Sequence, residues 1–197
     1  MHRPARSVTL VFAVVLGFLV LAAPQAMALS NGVVISQVYA GAGCGTANCS
    51  AYRNDYIELF NRGSVAVSLN GWSVQYASAA GTSWTVAALP NFTLQPGQYF
   101  LFGQTGNANG VLPLPATDGT GPLAMGATAG KVAVVNSATA LTVTAPAPCP
   151  TSATIVDMVA YGTTATCFEG GGPTPAPSTS NAVFRGSNGC TETDSNN

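Results

Sequence analysis

"DYIELFNRGSVAVSLNGWSVQY", residues 55–76, decides how this chain is read. Side chains of a strand alternate faces with a period of two. Over residues 55–61 that alternation puts Asp55, Ile57 and Leu59 on one face and Tyr56, Glu58 and Phe60 on the other. Asp55 and Glu58 look like an acid pair, but an offset of three sends them to opposite sides. Such carboxylates cannot converge on one glycosidic bond, which needs about 5 Å in retaining enzymes and about 6.5–9.5 Å in inverting ones. The stretch is therefore read as structure. Ile57 and Leu59 point into a core, and Glu58 takes a cross-strand cation such as Arg62 or Arg185.

The same stretch continues through turn chemistry. Asn70-Gly71 tolerates the positive φ of a tight hairpin turn. Trp72 then brings a large apolar ring to the interior. Further on, "QPGQ" places Pro96 and Gly97 at the second and third positions of a type II turn. Short β-branched and aromatic runs recur between such signals, over residues 33–40, 55–61, 65–69, 72–78, 82–89, 98–103, 131–137, 153–162 and, more weakly, 181–186. No sustained 3.6-residue amphipathic period follows residue 28. The pattern predicts an all-β domain of about nine strands, a β-sandwich with a closed barrel as the alternative. The Gly-rich segment 104–130 reads as a long loop. "GGGPTPAPSTS" (170–180) reads as an ordered or semi-rigid surface loop.

The chain begins with Arg3 and Arg6, an apolar run from Ser7 to Ala23, and the small-x-small triplet Ala26-Met27-Ala28. That order of parts predicts a secretory signal peptide over residues 1–28, removed on export. A membrane anchor needs roughly 17–25 apolar residues and is the rival; the small-residue site favours cleavage, which leaves no transmembrane span. The exported chain keeps 169 of 197 residues, with Arg53, Arg62, Lys131 and Arg185 against seven acids. The length suits one domain over residues 29–165, followed by a Pro/Gly/Ser-rich extension over 166–197 with a possible last strand. Four scattered cations form no basic patch, which argues against nucleic acid as partner.

The only histidine is His2, inside the leader. The exported chain therefore lacks the residue of Ser-His-Asp and Cys-His activation, of His-based zinc sites and of most proton transfer near neutral pH. Its five cysteines are Cys44, Cys49, Cys149, Cys167 and Cys190. Export makes disulfides the default. Cys44 with Cys49 closes a small loop, and Cys149 with Cys167 clamps a strand region, with Cys190 as the alternative mate of Cys149 or Cys167. The C-terminal "TETDSNN" offers Glu192, Asp194, Asn196 and Asn197, oxygens of the kind calcium takes. It lacks the loop of an EF-hand and reads as a disordered polar tail; no cofactor is expected.

"DYIELFNRGSVAVSLNGWSVQY" followed by "LPNFTLQPGQYFLF" resembles the lamin tail domain family. The matching features are a strand ending in Asn61, a short strand ending in Leu69, Gly71-Trp72, and Leu94-x-Pro96-Gly97 before an aromatic strand. "AGKVAVVNS" and "VDMVAYG" are similar to later strands of the family, in its secreted bacterial members. The resemblance covers roughly residues 32–162. It implies an immunoglobulin-like β-sandwich and a binding or structural module, with no catalytic residues to carry over. The expectation is a secreted, non-enzymatic module that contacts a protein or a cell-envelope component through loops 41–53 and 104–130. The alternative is an accessory domain, or the N-terminal part, of a longer secreted nuclease or phosphoesterase.

Overall fold

A computed structural model describes residue 30 and residues 32–197. The leader expected over residues 1–28 lies outside the described residues. Among those, no helix is long and apolar enough to cross a membrane.

Two sheets face each other. One holds five strands in the order β10 (Gly119–Thr120), β8 (Tyr99–Gly106), β3 (Asn54–Asn61), β1 (Val33–Tyr39) and β13 (Val183–Phe184). The other holds β12 (Ile155–Tyr161), β11 (Gly130–Val135), β5 (Ser73–Ser78) and β6 (Thr85–Ala88). Two short pairs flank them: β2 (Ser50–Tyr52) runs parallel to β9 (Gly110–Leu112), and β4 (Val67–Ser68) antiparallel to β7 (Thr93–Leu94). Both large sheets keep open edges, so the architecture is a sandwich and not a closed barrel.

The core follows from alternation on β3. Ile57 and Leu59 are fully buried between the sheets, with Asp55 nearly so. They meet Val74, Val132, Phe100 and Phe102 in one continuous apolar cluster. Burying each large aliphatic or aromatic side chain contributes about 1.5–3 kcal/mol. On β1 the alternation breaks. Ser36 is an extra residue between the pairs Ile35–Leu59 and Gln37–Glu58, a bulge that lets Ile35 and Val38 both face inward. β11 is buried on both faces. Val132 and Val134 enter the main core, while Ala133 and Val135 enter a second cluster with Trp84, Leu141 and Met158.

Several local expectations change. The 104–130 segment is not a plain loop: it contains the end of β8 and all of β9 and β10. Glycines give that segment little strand propensity, yet Gly110 is required. A Cβ there would overlap the Tyr52 carbonyl across the β2–β9 pair. The Asn70-Gly71 turn closes between Leu69 O and Trp72 N with Gly71 at φ +77°. It joins no hairpin, because β4 pairs with β7 while β5 pairs with β6 and β11. It is a corner between sheets. Trp72 precedes β5 and is only half-buried at the edge of the main core; Trp84 is the more deeply buried tryptophan. At "QPGQ", Gln98 N donates to Gln95 O and Gly97 sits at φ +73°, a type II turn.

The C-terminal residues are folded, not a disordered tail. Arg185 leads into a single irregular turn, α1 (Gly186–Gly189), with Ser187 and Asn188 at positive φ. Residues 190–197 then return along the outer edge of β12.

Candidate functional site

Two regions collect the chain's unusual chemistry: a platform of loops at one end and a buried acidic cluster behind β12.

The platform joins the two loops nominated from the sequence. β2 and β9 pair in parallel, with Ser50 opposite Gly110 and Tyr52 opposite Leu112. Arg53 N donates to Leu112 O, and Asn107 N donates to Arg53 O. The side chains of Asn107 and Asn109 both donate to Cys44 O, at 3.2 and 2.8 Å, inside the loop closed by the Cys44–Cys49 disulfide. Beneath lies a tyrosine cluster, in which Tyr39 stacks on Tyr56 at 5.4 Å and meets Tyr52 edge-on at 5.8 Å. Ala51 N and the Tyr39 hydroxyl both donate to Thr179 O, so the 170–180 segment supports the platform from below. At its tip Val111 and Leu112 are 48% and 53% exposed, among the most exposed large apolar side chains described. A groove of about 250 Å³ beside them is lined by Asn54, Gln104, Leu114 and Thr117.

The platform carries little charge. Loop 41–53 contains only Arg53, and loop 104–130 only Asp118. Arg53 is used on the carbonyls of Gly110 and Val111, and Asp118 accepts from Leu101 N.

Asp55 anchors these loops from inside. Its carboxylate accepts from Ala42 N at 3.0 Å and from Met125 N at 3.3 Å, tying both long loops to β3. Burial pushes its pKa up to about 7, and the two amides pull it back only in part. The native state thus binds a proton more tightly than the unfolded chain does. The associated stability is complete below the ordinary carboxylate pKa and is lost as pH rises through about 7. Asp55 is expected to contribute on the order of 2 kcal/mol to the difference between urea titrations at pH 5 and pH 8, in favour of pH 5. Asp55→Asn is expected to reduce the difference by about that amount, leaving the part that buried Glu169 and Asp157 contribute with the same sign; an unchanged difference in the variant would remove Asp55 as a source.

Glu58 faces outward, but not to an arginine. Its Oε1 accepts from Ser36 Oγ and from Gln37 Nε2 at 3.1 Å. Arg62 instead donates to Ser30 O, and Arg185 goes to the acidic cluster. A desolvated carboxylate gains more from a guanidinium than half-exposed Glu58 would.

That cluster comprises Asp157, Glu169 and Glu192, all buried, with carboxylate oxygens within 4.8 Å of one another. Arg185 enters between β1 and β12. Its Nη2 lies 2.7 Å from Asp157 Oδ1 and its Nη1 3.0 Å from Glu192 Oε2. Its Nε donates to Ile35 O, while Ile35 N donates to Asp157 Oδ2. The ion pair thus satisfies both backbone groups of Ile35 where β13 is too short to reach, as an extra strand would. Asn196 does the same for β12, accepting from Ala160 N and donating to Met158 O. Burial, then repulsion from Asp157 and Glu192, pushes Glu169 up to about 8. Burial pushes Asp157 to about 6, the Arg185 guanidinium opposing it.

The remaining cysteines are distributed elsewhere. Cys149 and Cys167 form the second disulfide, at the second apolar cluster, and Cys190 is a free thiol beside the Tyr99 hydroxyl. Sequence reasoning missed Asp157, Glu169 and Arg185 as a group. One signal was present: Asp157 interrupts the apolar run "IVDMVAY".

A sandwich of two antiparallel-rich sheets with loops braced at one end defines an immunoglobulin-like scaffold. The family model of the Lamin Tail Domain matches residues 26–163, and the chain belongs to that family. No curated protein matches the chain. The family match ends just after β12, before Glu169, Arg185 and Glu192.

Proposed function

We propose that this chain is a secreted, non-catalytic module that binds a protein or another neutral cell-envelope component through the platform of loops 41–53 and 104–130. The observation that carries this reading is the convergence of the two loops. They share a β-pair, a disulfide-closed turn and two asparagine bridges, and that bracing holds Val111 and Leu112 out in solvent. A preorganised surface loses little entropy on binding. Its charges are used internally, so contact rests on apolar and hydrogen-bonding surface rather than on steering by charge. Family membership supports a non-enzymatic role, as does the absence of histidine from the exported sequence. The two disulfides fit an oxidising compartment.

The test is retention of the domain by cell-envelope fractions and by DNA at low and high salt. Envelope retention is expected to change little with salt. The double variant Val111→Asp/Leu112→Asp is expected to lower it roughly tenfold or more, with an unchanged melting temperature, because both residues lie outside the core. DNA retention that falls steeply with salt would contradict the reading.

A further inference from the structure

We propose that Asp157, Glu169 and Glu192 form a calcium site that fastens the C-terminal segment to β12. The donor set is all oxygen, which suits a hard cation rather than zinc. Oxygens within 4.8 Å of one another are close enough to share one ion at the 2.3–2.6 Å distances of calcium.

Two observations beyond the acidity itself point to a missing cation. Glu169 is 5% exposed, and among the described residues no cation lies within ion-pair distance of it. Its one hydrogen bond comes from Asn196 Nδ2 at 3.2 Å, which leaves most of its acceptor capacity unused. Glu192 is buried too, and its Oε2 has no donor aligned with it although Arg185 Nη1 is 3.0 Å away. Three buried carboxylates face one guanidinium, with Asp194 close by, so the cluster is short of positive charge. A buried charge without compensation is costly. The Glu192-x-Asp194-x-Asn196 spacing gives the returning segment alternate oxygen-bearing side chains, and both Glu192 and Asn196 reach the cluster. Raised proton affinity at Glu169 marks the alternative, in which a proton fills the same need.

The experiment separates the two. The chain without its leader is stripped of metal and melted at about pH 8 with no addition, with calcium and with magnesium. Calcium at about 5 mM is expected to raise the melting temperature by roughly 5 °C or more, and magnesium far less. Glu169→Gln is expected to abolish the rise while melting no lower than the wild type without metal, because it removes an uncompensated buried charge. Hydrogen exchange of residues 186–197 gives a readout that needs no variant, and is expected to slow about tenfold with calcium. An unchanged wild-type melt and exchange up to about 10 mM calcium would overturn the site, as would a full calcium response in Glu169→Gln or an equal response to magnesium.

Discussion

Arg185→Ala is expected to destabilise the chain by about 3–5 kcal/mol, the cost typical of removing one partner from a buried ion pair. For a domain of this size that lowers the melting temperature by roughly 10 °C or more. The guanidinium is 10% exposed while Asp157 and Glu192 are each 1% exposed in their side chains. Its loss strands the buried carboxylates of Asp157 and Glu192 without a cation and leaves Ile35 O without its donor. Arg185→Lys keeps the charge but cannot serve Asp157, Glu192 and Ile35 at once, so it is expected to recover only part. Asp157→Asn in the Arg185→Ala background is expected to recover part as well. Chemical denaturation of the three variants checks this; a loss below about 1 kcal/mol for Arg185→Ala would mean the cluster does not hold the segment.

Asn61→Ala is expected to cost about 3 kcal/mol, or roughly 6–12 °C. Asn61 is fully buried at the end of β3. Its Nδ2 donates to Val65 O and Leu94 O, each at 2.9 Å, and its Oδ1 accepts from Gly63 N. Its backbone also meets the type II turn, through Gln98 O and Gly97 N. One side chain thus ties the chain after β3 to the segment before β8. Alanine removes the side-chain donor from the carbonyls of Val65 and of fully buried Leu94, and a buried acceptor that loses its partner is costly. Asn61→Asp is expected to be no better, since it has no donor to offer. A melting temperature within 2–3 °C of wild type for Asn61→Ala would remove Asn61 from this role.

How far the sequence could be read depended on whether the deciding force was local. Strict alternation on "DYIELFN" sends Ile57 and Leu59 inward and Glu58 outward, and the structure has them so. Gly97 reads directly because a type II turn needs positive φ at that position. The β1 bulge was hidden, since "VVISQVY" has no glycine or proline and the bulge arises only against β3. The β2–β9 pair was hidden for the opposite reason. A Gly-rich segment reads as loop, and here glycine is what allows two backbones to approach. Trp72 and Trp84 could not be ranked, because burial depends on which sheet covers each ring. The acidic cluster draws on residues 157, 169, 185 and 192, brought together only when the C-terminal segment folds back along β12. Composition presents that segment as polar and Pro/Gly-rich, and nothing in it shows that Asp157 awaits a guanidinium.

The most direct test of the account is native-state hydrogen exchange across residues 185–197, without added metal. The claim at stake is that this segment, although outside the family match, is a built part of the sandwich. The amides of Arg185, Gly189, Thr191 and Asn196 donate to Ser36 O, Arg185 O, Gly186 O and Glu169 O. They are expected to exchange at least about a hundredfold more slowly than an unstructured chain, with Arg185 approaching the protection of β1. Exchange of all four at unstructured rates, while β1 and β12 stay protected, would contradict the account.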